Sequence, residues 1–277
     1  MLDENSKNFV LYDGNKIFIE KNILNLPYNL DSLNNVKGLK NLSNLKELHY
    51  TGPNLKKIEN IDYLVNLKSL TLNGSEYLSK IEDLKNLKKL KVLDLSGNQI
   101  KEIEGLENLT NLEVLLFGSS SDLFGNNISE IQGLSSLTNL KELYLTQNEI
   151  AEIKDLDTLE KLEILDIRDN KITKIQGLEN LKNLKELYLS GNGILNIEGL
   201  ENLTNLKILC IGSNQIRKIQ GLENLNKLEF LGIELNKIIE IKDIQMLKDI
   251  RTIQLFGNPL NKNALSILRK LTKTKII

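Results

Sequence analysis

Apolar residues recur along this chain in one phrase, Leu-x-x-Leu-x-Leu-x-x-Asn-x-Ile-x-x-Ile-x-x-Leu-x-x-Leu. The phrase opens at Leu140, Leu162, Leu184, Leu206, Leu228 and Ile250, each 22 residues after the one before. Earlier openings are Ile23, Leu45, Leu67, Leu90 and Leu112. The step from Leu67 to Leu90 is 23, and that from Leu112 to Leu140 is 28, an insertion of six. Eleven rows therefore run from residue 23 to about 260. A short period kept over most of a chain means stacked coils, each burying its apolar edge against its neighbours.

Within a row, residues such as Leu187 and Leu189 alternate with polar or variable ones, the period of a strand with one buried face. Ile194, Ile197, Leu200 and Leu203 then space apolar residues by three, which predicts a 3-10 or loosely helical return path with one edge inward. Gly105, Gly133, Gly177, Gly199 and Gly221 stand where the returning backbone must turn tightly. Since every coil repeats the same path, the strands are predicted to be parallel and adjacent.

A column of asparagines, Asn98, Asn126, Asn148, Asn170, Asn192, Asn214, Asn236 and Asn258, is predicted to lie inside the coil. Each amide would serve backbone groups left unpaired where the strand bends, since a buried polar group without a partner costs about 1–3 kcal/mol. Equivalent places in the first rows hold Asp31, Pro53 and Ser75, so the N-terminal third is less regular.

A stack exposes its core at both ends. Phe9-Val10-Leu11-Tyr12 and Lys16-Ile17-Phe18-Ile19 flank Asp13-Gly14-Asn15 and read as a hairpin over the first row. Asn263 to Leu271 has helical apolar spacing after Asn258-Pro259, which predicts a short helix over the last turn. The expected organisation is an N-terminal hairpin cap over 1–22, repeats over 23–260 and a C-terminal cap over 261–277.

The wording Ile175-Gln176-Gly177-Leu178-Glu179-Asn180-Leu181-Lys182-Asn183-Leu184 resembles the 22-residue, SDS22-like class of leucine-rich repeats, over about residues 23–270. That resemblance implies an α/β fold: a right-handed horseshoe solenoid with a parallel concave sheet and convex 3-10 or short helical segments. The class includes regulatory subunits of protein phosphatase 1, ciliary dynein-associated proteins and the repeat regions of bacterial internalins, united by partner binding on the concave sheet. Asn258-Pro259-Leu260 before a helix looks like the C-terminal cap of the phosphatase-regulator branch. An internalin-type adhesin would require an export signal and an anchor.

Charge is balanced, 36 Lys and Arg against 37 Asp and Glu, which provides no basic field for nucleic acid. Lysines along the convex path, Lys101, Lys154, Lys174, Lys218 and Lys242, sit beside glutamates and read as a solvated face. Cys210 is the only cysteine, so no internal disulfide can form. Met1-Leu2-Asp3-Glu4-Asn5 lacks the basic start and apolar run of a signal peptide, and no stretch approaches 18 apolar residues. The expectation is a cytoplasmic monomer that engages no membrane. His49 is the only histidine, and no Gly-x-Ser-x-Gly, His-Glu-x-x-His, phosphate-loop or dinucleotide motif occurs, so neither enzyme chemistry nor a cofactor is expected. Cys210 has no neighbouring histidine or evident cation and is expected to be inert. The Asn-x-Ser/Thr triplets at Asn41, Asn108, Asn127 and Asn202 are by-products of the repeat wording.

Side chains two apart on a strand share a face. The central exposed column is expected to run Pro27, His49, Thr71, Asp94, Leu116, Tyr144, Asp166, Tyr188, Cys210, Gly232 and Gln254. The column before it carries Glu142, Ile164, Glu186, Ile208 and Phe230, and the column after it Arg168, Glu234 and Phe256. Tyr144 and Tyr188 flank Asp166, while the charges here, Asp94, Glu142, Asp166, Asp169, Glu186 and Glu234 against Arg168, are mostly acidic. Aromatics among acids on a rigid sheet suit a protein partner with a basic, partly apolar surface. The insertion Ser119 to Gly125 is expected to fold Leu123 and Phe124 back onto a neighbouring turn rather than present them to a partner.

Overall fold

Each turn of the coil lays down one short strand, and eleven turns share one leucine interior. The computed structural model describes residues 8–118, 125–241, 250–270 and 274–277. The row strands are Ile23–Asn25, Glu47–Thr51, Ser69–Asn73, Val92–Asp94, Val114–Leu116, Glu142–Tyr144, Ile164–Asp166, Glu186–Tyr188, Ile208–Cys210, Phe230–Gly232 and Thr252–Gln254. They pair in parallel in chain order, and Lys275–Ile276 adds a twelfth strand beside Thr252–Gln254. Leu143, Leu165, Leu187, Leu209 and Leu231 stack in register along the buried side, and none is exposed. The 28-residue row leaves this register intact: Val114, Leu115 and Leu116 pair with Glu142, Leu143 and Tyr144.

The return path is built from successive tight turns in place of helices. Leu84, Leu87 and Leu90 show the pattern: the Leu87 N–H bonds the Leu84 carbonyl and the Leu90 N–H the Leu87 carbonyl, both at 2.9 Å. These are 3-10-type bonds, but they form 3-10 helices only at Leu33–Asn35 and Leu39–Asn41 among the described residues. The turn glycines all have positive φ, 68–72° at Gly105, Gly133, Gly177, Gly199 and Gly221. At Gly177 a Cβ would also lie 2.6 Å from the Ile153 carbonyl of the preceding row, so close stacking and backbone conformation both demand glycine.

The asparagine column forms the predicted ladder. The Asn214 Nδ2 donates to the carbonyls of Leu189, Ile211 and Gly212 at 2.9–3.1 Å, and its Oδ1 accepts the Ile194 N–H at 2.9 Å. One side chain thus ties two rows, and the bond from the preceding row's N–H to Oδ1 recurs from Asn98 to Asn258. Where the column lapses, other groups take over. Ser75 Oγ bonds the Leu55 carbonyl and accepts the Leu78 N–H. In the row holding Pro53, the buried Tyr50 hydroxyl donates to the Leu30 carbonyl at 2.9 Å and accepts the Asn54 and Leu55 N–H groups.

Two features differ from expectation. Asn25, not Pro27, pairs with His49 and begins the central column; the first row is offset by two residues, and its buried leucine is Leu24. Lys21 and Asn22, at φ 52° and 67°, make the turn that sets this offset. The second is the twelfth strand, which follows helix α1 (Lys262–Leu268). Asn261 caps α1 by accepting the Ala264 N–H at 2.9 Å, and Ala264 and Leu268 are buried. At the other end β1 (Phe9–Tyr12) and β2 (Asn15–Phe18) form the expected hairpin about Asp13-Gly14, at φ 49° and 75°. Val10 is buried, and Leu11 exchanges both backbone bonds with Lys37. Residues 1–7, the insertion tip with Leu123 and Phe124, Lys242 and Leu271 lie outside the described residues.

Replacing Asn214 by Ala strands the Ile194 N–H in the interior and takes one of two donors from the Leu189, Ile211 and Gly212 carbonyls, and is expected to cost about 2 kcal/mol. Asn205, which bonds the Lys182 carbonyl on the exposed surface, is the control, with an expected loss under about 1 kcal/mol. Urea unfolding midpoints of the two variants check the difference.

Candidate binding face

Parallel register brings the expected columns together. Tyr144, Asp166, Tyr188, Cys210 and Gly232 are direct neighbours across five rows, and Glu142, Ile164, Glu186, Ile208 and Phe230 run beside them. Asp94 and Leu116 continue the central column toward the N-terminal rows. Two phenols are fixed by their own strands: the Tyr144 hydroxyl donates to Glu142 at 2.9 Å, and that of Tyr188 to Glu186 at 2.7 Å. Burial raises both phenol pKa values, and the carboxylate acceptors, which favour the protonated phenol, raise them further. Glu142 and Glu186 therefore act both as clamps and as outward charges.

The two aspartates in the central column are tied into the sheet. Asp166 is 1% exposed; its carboxylate accepts the Arg168 N–H at 3.2 Å and Nε at 2.9 Å, and also pairs with Nη2. Arg168 lies over the Tyr188 ring, 5.1 Å from its centroid. Asp94 accepts the Ser96 N–H at 2.9 Å and the Asn73 amide at 3.0 Å. Both cap the N–H two residues on, where the strand ends, an Asx-type turn. The acidic character of the face accordingly falls to Glu142, Glu186, Glu234 and Asp169.

Phe256 is about half exposed at the last row, beside Leu235. Cys210 is partly buried, and desolvation, followed by the nearby Glu234 carboxylate, pushes its thiol up to about 12 against a smaller opposing effect of Arg168. His49 bonds Thr71 at 3.0 Å and Glu47 at 3.1 Å. Among the described residues, no three His, Cys, Asp or Glu groups are placed to hold a metal ion, and no helix is long and apolar enough to cross a membrane.

Two arrangements escaped the column reading. One residue after each row opening, Lys91, Glu113 and Lys141 form a bridged triplet at 2.5 and 2.7 Å, and Glu163–Lys185 and Glu229–Arg251 continue the edge. The two lysines hold the Glu113 carboxyl down at about 2. The alternation of Lys and Glu in that column was the available signal. The other is a stretch of bare backbone where Cys210, Gly212 and Gly232 are small together, and the Glu234 carboxylate and the Phe230 ring occupy the space over the two glycines.

The chain belongs to the leucine-rich-repeat family: the model described as "Leucine Rich repeats (2 copies)" matches residues 88–121, 122–160, 160–202 and 182–226. No curated protein matches the sequence. Among solved structures it is similar to internalin InlF of Listeria monocytogenes, at 31% identity and TM-score 0.74, over 86% of this chain and 68% of that one. A leucine-rich-repeat protein of Leptospira interrogans aligns at 27% identity and TM-score 0.69, over 91% and 75%. Internalin C2 of Listeria monocytogenes aligns at 31% identity and TM-score 0.60, over 70% and 83%. The unmatched N-terminal rows are those in which the asparagine column lapses.

With its thiol held near 12, against an ordinary value near 9, Cys210 should alkylate at least about tenfold more slowly at pH 8 in the folded chain than in urea. Iodoacetamide labelling rates in the two states check this.

Proposed function

We propose that this chain is a non-catalytic scaffold, working without a cofactor, whose concave sheet binds a protein with a basic, partly apolar surface. The observation that carries the reading is the in-register group of Tyr144, Tyr188, Glu142 and Glu186, with Ile164, Ile208 and Phe230 between and beside them. Phenols already held by hydrogen bonds lose little conformational freedom on docking, so more of their contact energy remains as affinity. Aromatic anchors of this kind carry much of the energy of protein interfaces. The outward carboxylates favour a basic surface and oppose a phosphate backbone.

The likeness to internalin InlF favours one second reading, an internalin-like protein displayed at a cell surface. The phosphatase-regulator alternative rests on the repeat wording alone, and the cytoplasmic location is likewise a proposal. Protease shaving of intact native cells separates location: peptides of this chain released from the surface support the adhesin, and peptides recovered only after lysis support an intracellular scaffold.

Replacing Tyr144 and Tyr188 together by Ala should leave the far-ultraviolet spectrum and unfolding cooperativity unchanged. It should weaken binding of a purified partner by about tenfold or more, the effect of losing 1.4 kcal/mol. Unchanged affinity would remove these tyrosines from the interface.

A further inference from the structure

The concave face carries a carboxylate oxygen with no hydrogen-bond partner. Glu234 Oε2 is buried, and among the described residues no donor reaches it. It lies over the bare backbone of Gly212 and Gly232, beside Cys210. A Cβ at Gly212 would overlap the Glu234 carboxylate, and one at Gly232 would stand 3.3 Å from Oε2, 3.2 Å from the Phe230 ring edge and 3.5 Å from the Cys210 Sγ. Neither glycine has positive φ, so backbone conformation does not demand them. Their smallness makes room for the Glu234 head. The Phe230 ring lies against Gly232, and exposed Phe256 adjoins Glu234 in the next row.

A buried acceptor without a donor is costly, and a cation that supplies the donor removes that cost. The Arg168 guanidinium is already committed to Asp166. An incoming group must be cationic, able to serve both oxygens of a carboxylate lying against a backbone, and compatible with aromatic walls. A guanidinium meets all three demands: it is planar, donates a two-pronged fork and stacks on rings. An ammonium offers a point charge without the fork.

We propose that Glu234, over the bare backbone of Gly212 and Gly232, is the subsite for an arginine side chain of the bound partner. Glu234 receives the guanidinium, and Phe230 and Phe256 pack along its faces and stem. The Phe230 ring swings aside to open Oε2. This rests on the concave face being the partner surface, and it names the anchor that surface takes.

The test uses the full chain, isotope-labelled, and needs no partner, so its failure is distinguishable from that of the tyrosine experiment. Nα-acetyl-L-arginine amide is titrated in while the Gly212 and Gly232 amide resonances are followed. Saturable shifts in the millimolar range are expected, with the lysine analogue several-fold weaker and the norleucine analogue inactive. E234Q should weaken the arginine response by about tenfold while preserving the rest of the spectrum. Should E234Q fold poorly, Gly232→Ala, whose Cβ would stand 3.3 Å from Oε2 and crowd it without offering a donor, is expected to abolish the Gly212 shifts. Equal response to norleucine, equal response to lysine, persistence in both variants, or no shift at these glycines would each overturn the assignment.

Discussion

A coil that turns from a strand into a return path must bend its backbone inside the protein, where water cannot satisfy the freed amides and carbonyls. The asparagine column answers that constraint. Each side chain donates to carbonyls of its own row and the previous one and accepts an N–H from the previous row, so successive rows are held by directional bonds as well as by apolar contact. Leucine burial supplies most of the driving force, but it is non-directional and would tolerate slippage. The amides fix the stagger, and the stagger fixes which side chains meet on the concave wall.

That wall is consequently set from behind. Tyr144 and Tyr188 are neighbours of Asp166 because their rows are locked in register, and their hydroxyls stay put because Glu142 and Glu186 share their strands. Asp166 and Asp94 belong to the same structural machinery, for they close the bend at which the strand ends. Charge on such a surface cannot be counted by residue type alone. An aspartate two residues before a bend is spent on the backbone, whereas a glutamate one pleat earlier reaches past it.

The repeating part of the fold was legible in the residues because each position of a 22-residue phrase has one environment, and leucine, glycine and asparagine each fit a single one. The hairpin was legible from Asp13-Gly14, and α1 from its apolar spacing. The first row was misread by two residues because Ile23 fits an opening leucine in hydrophobicity, while its true placement depends on the left-handed turn at Lys21 and Asn22. The strand at Lys275–Ile276 had no periodic partner to announce it; it exists because Thr252–Gln254 would otherwise leave a bare edge. Of the candidate face, the columns were readable, but the burial of Asp166 and the seating of the Glu234 carboxylate over Gly212 arise from neighbours 22 residues away.

Unbroken parallel pairing from row to row also turns the concave wall into a ruler. Rows advance by ~4.8 Å, so every second row repeats at ~9.6 Å. A β-extended ligand laid across the rows covers a similar span in three residues, but its third side chain then faces away. A polyproline II segment returns a side chain to the same side every three residues, after ~9.3 Å. Alternate rows and every third residue of such a helix thus share nearly the same spacing.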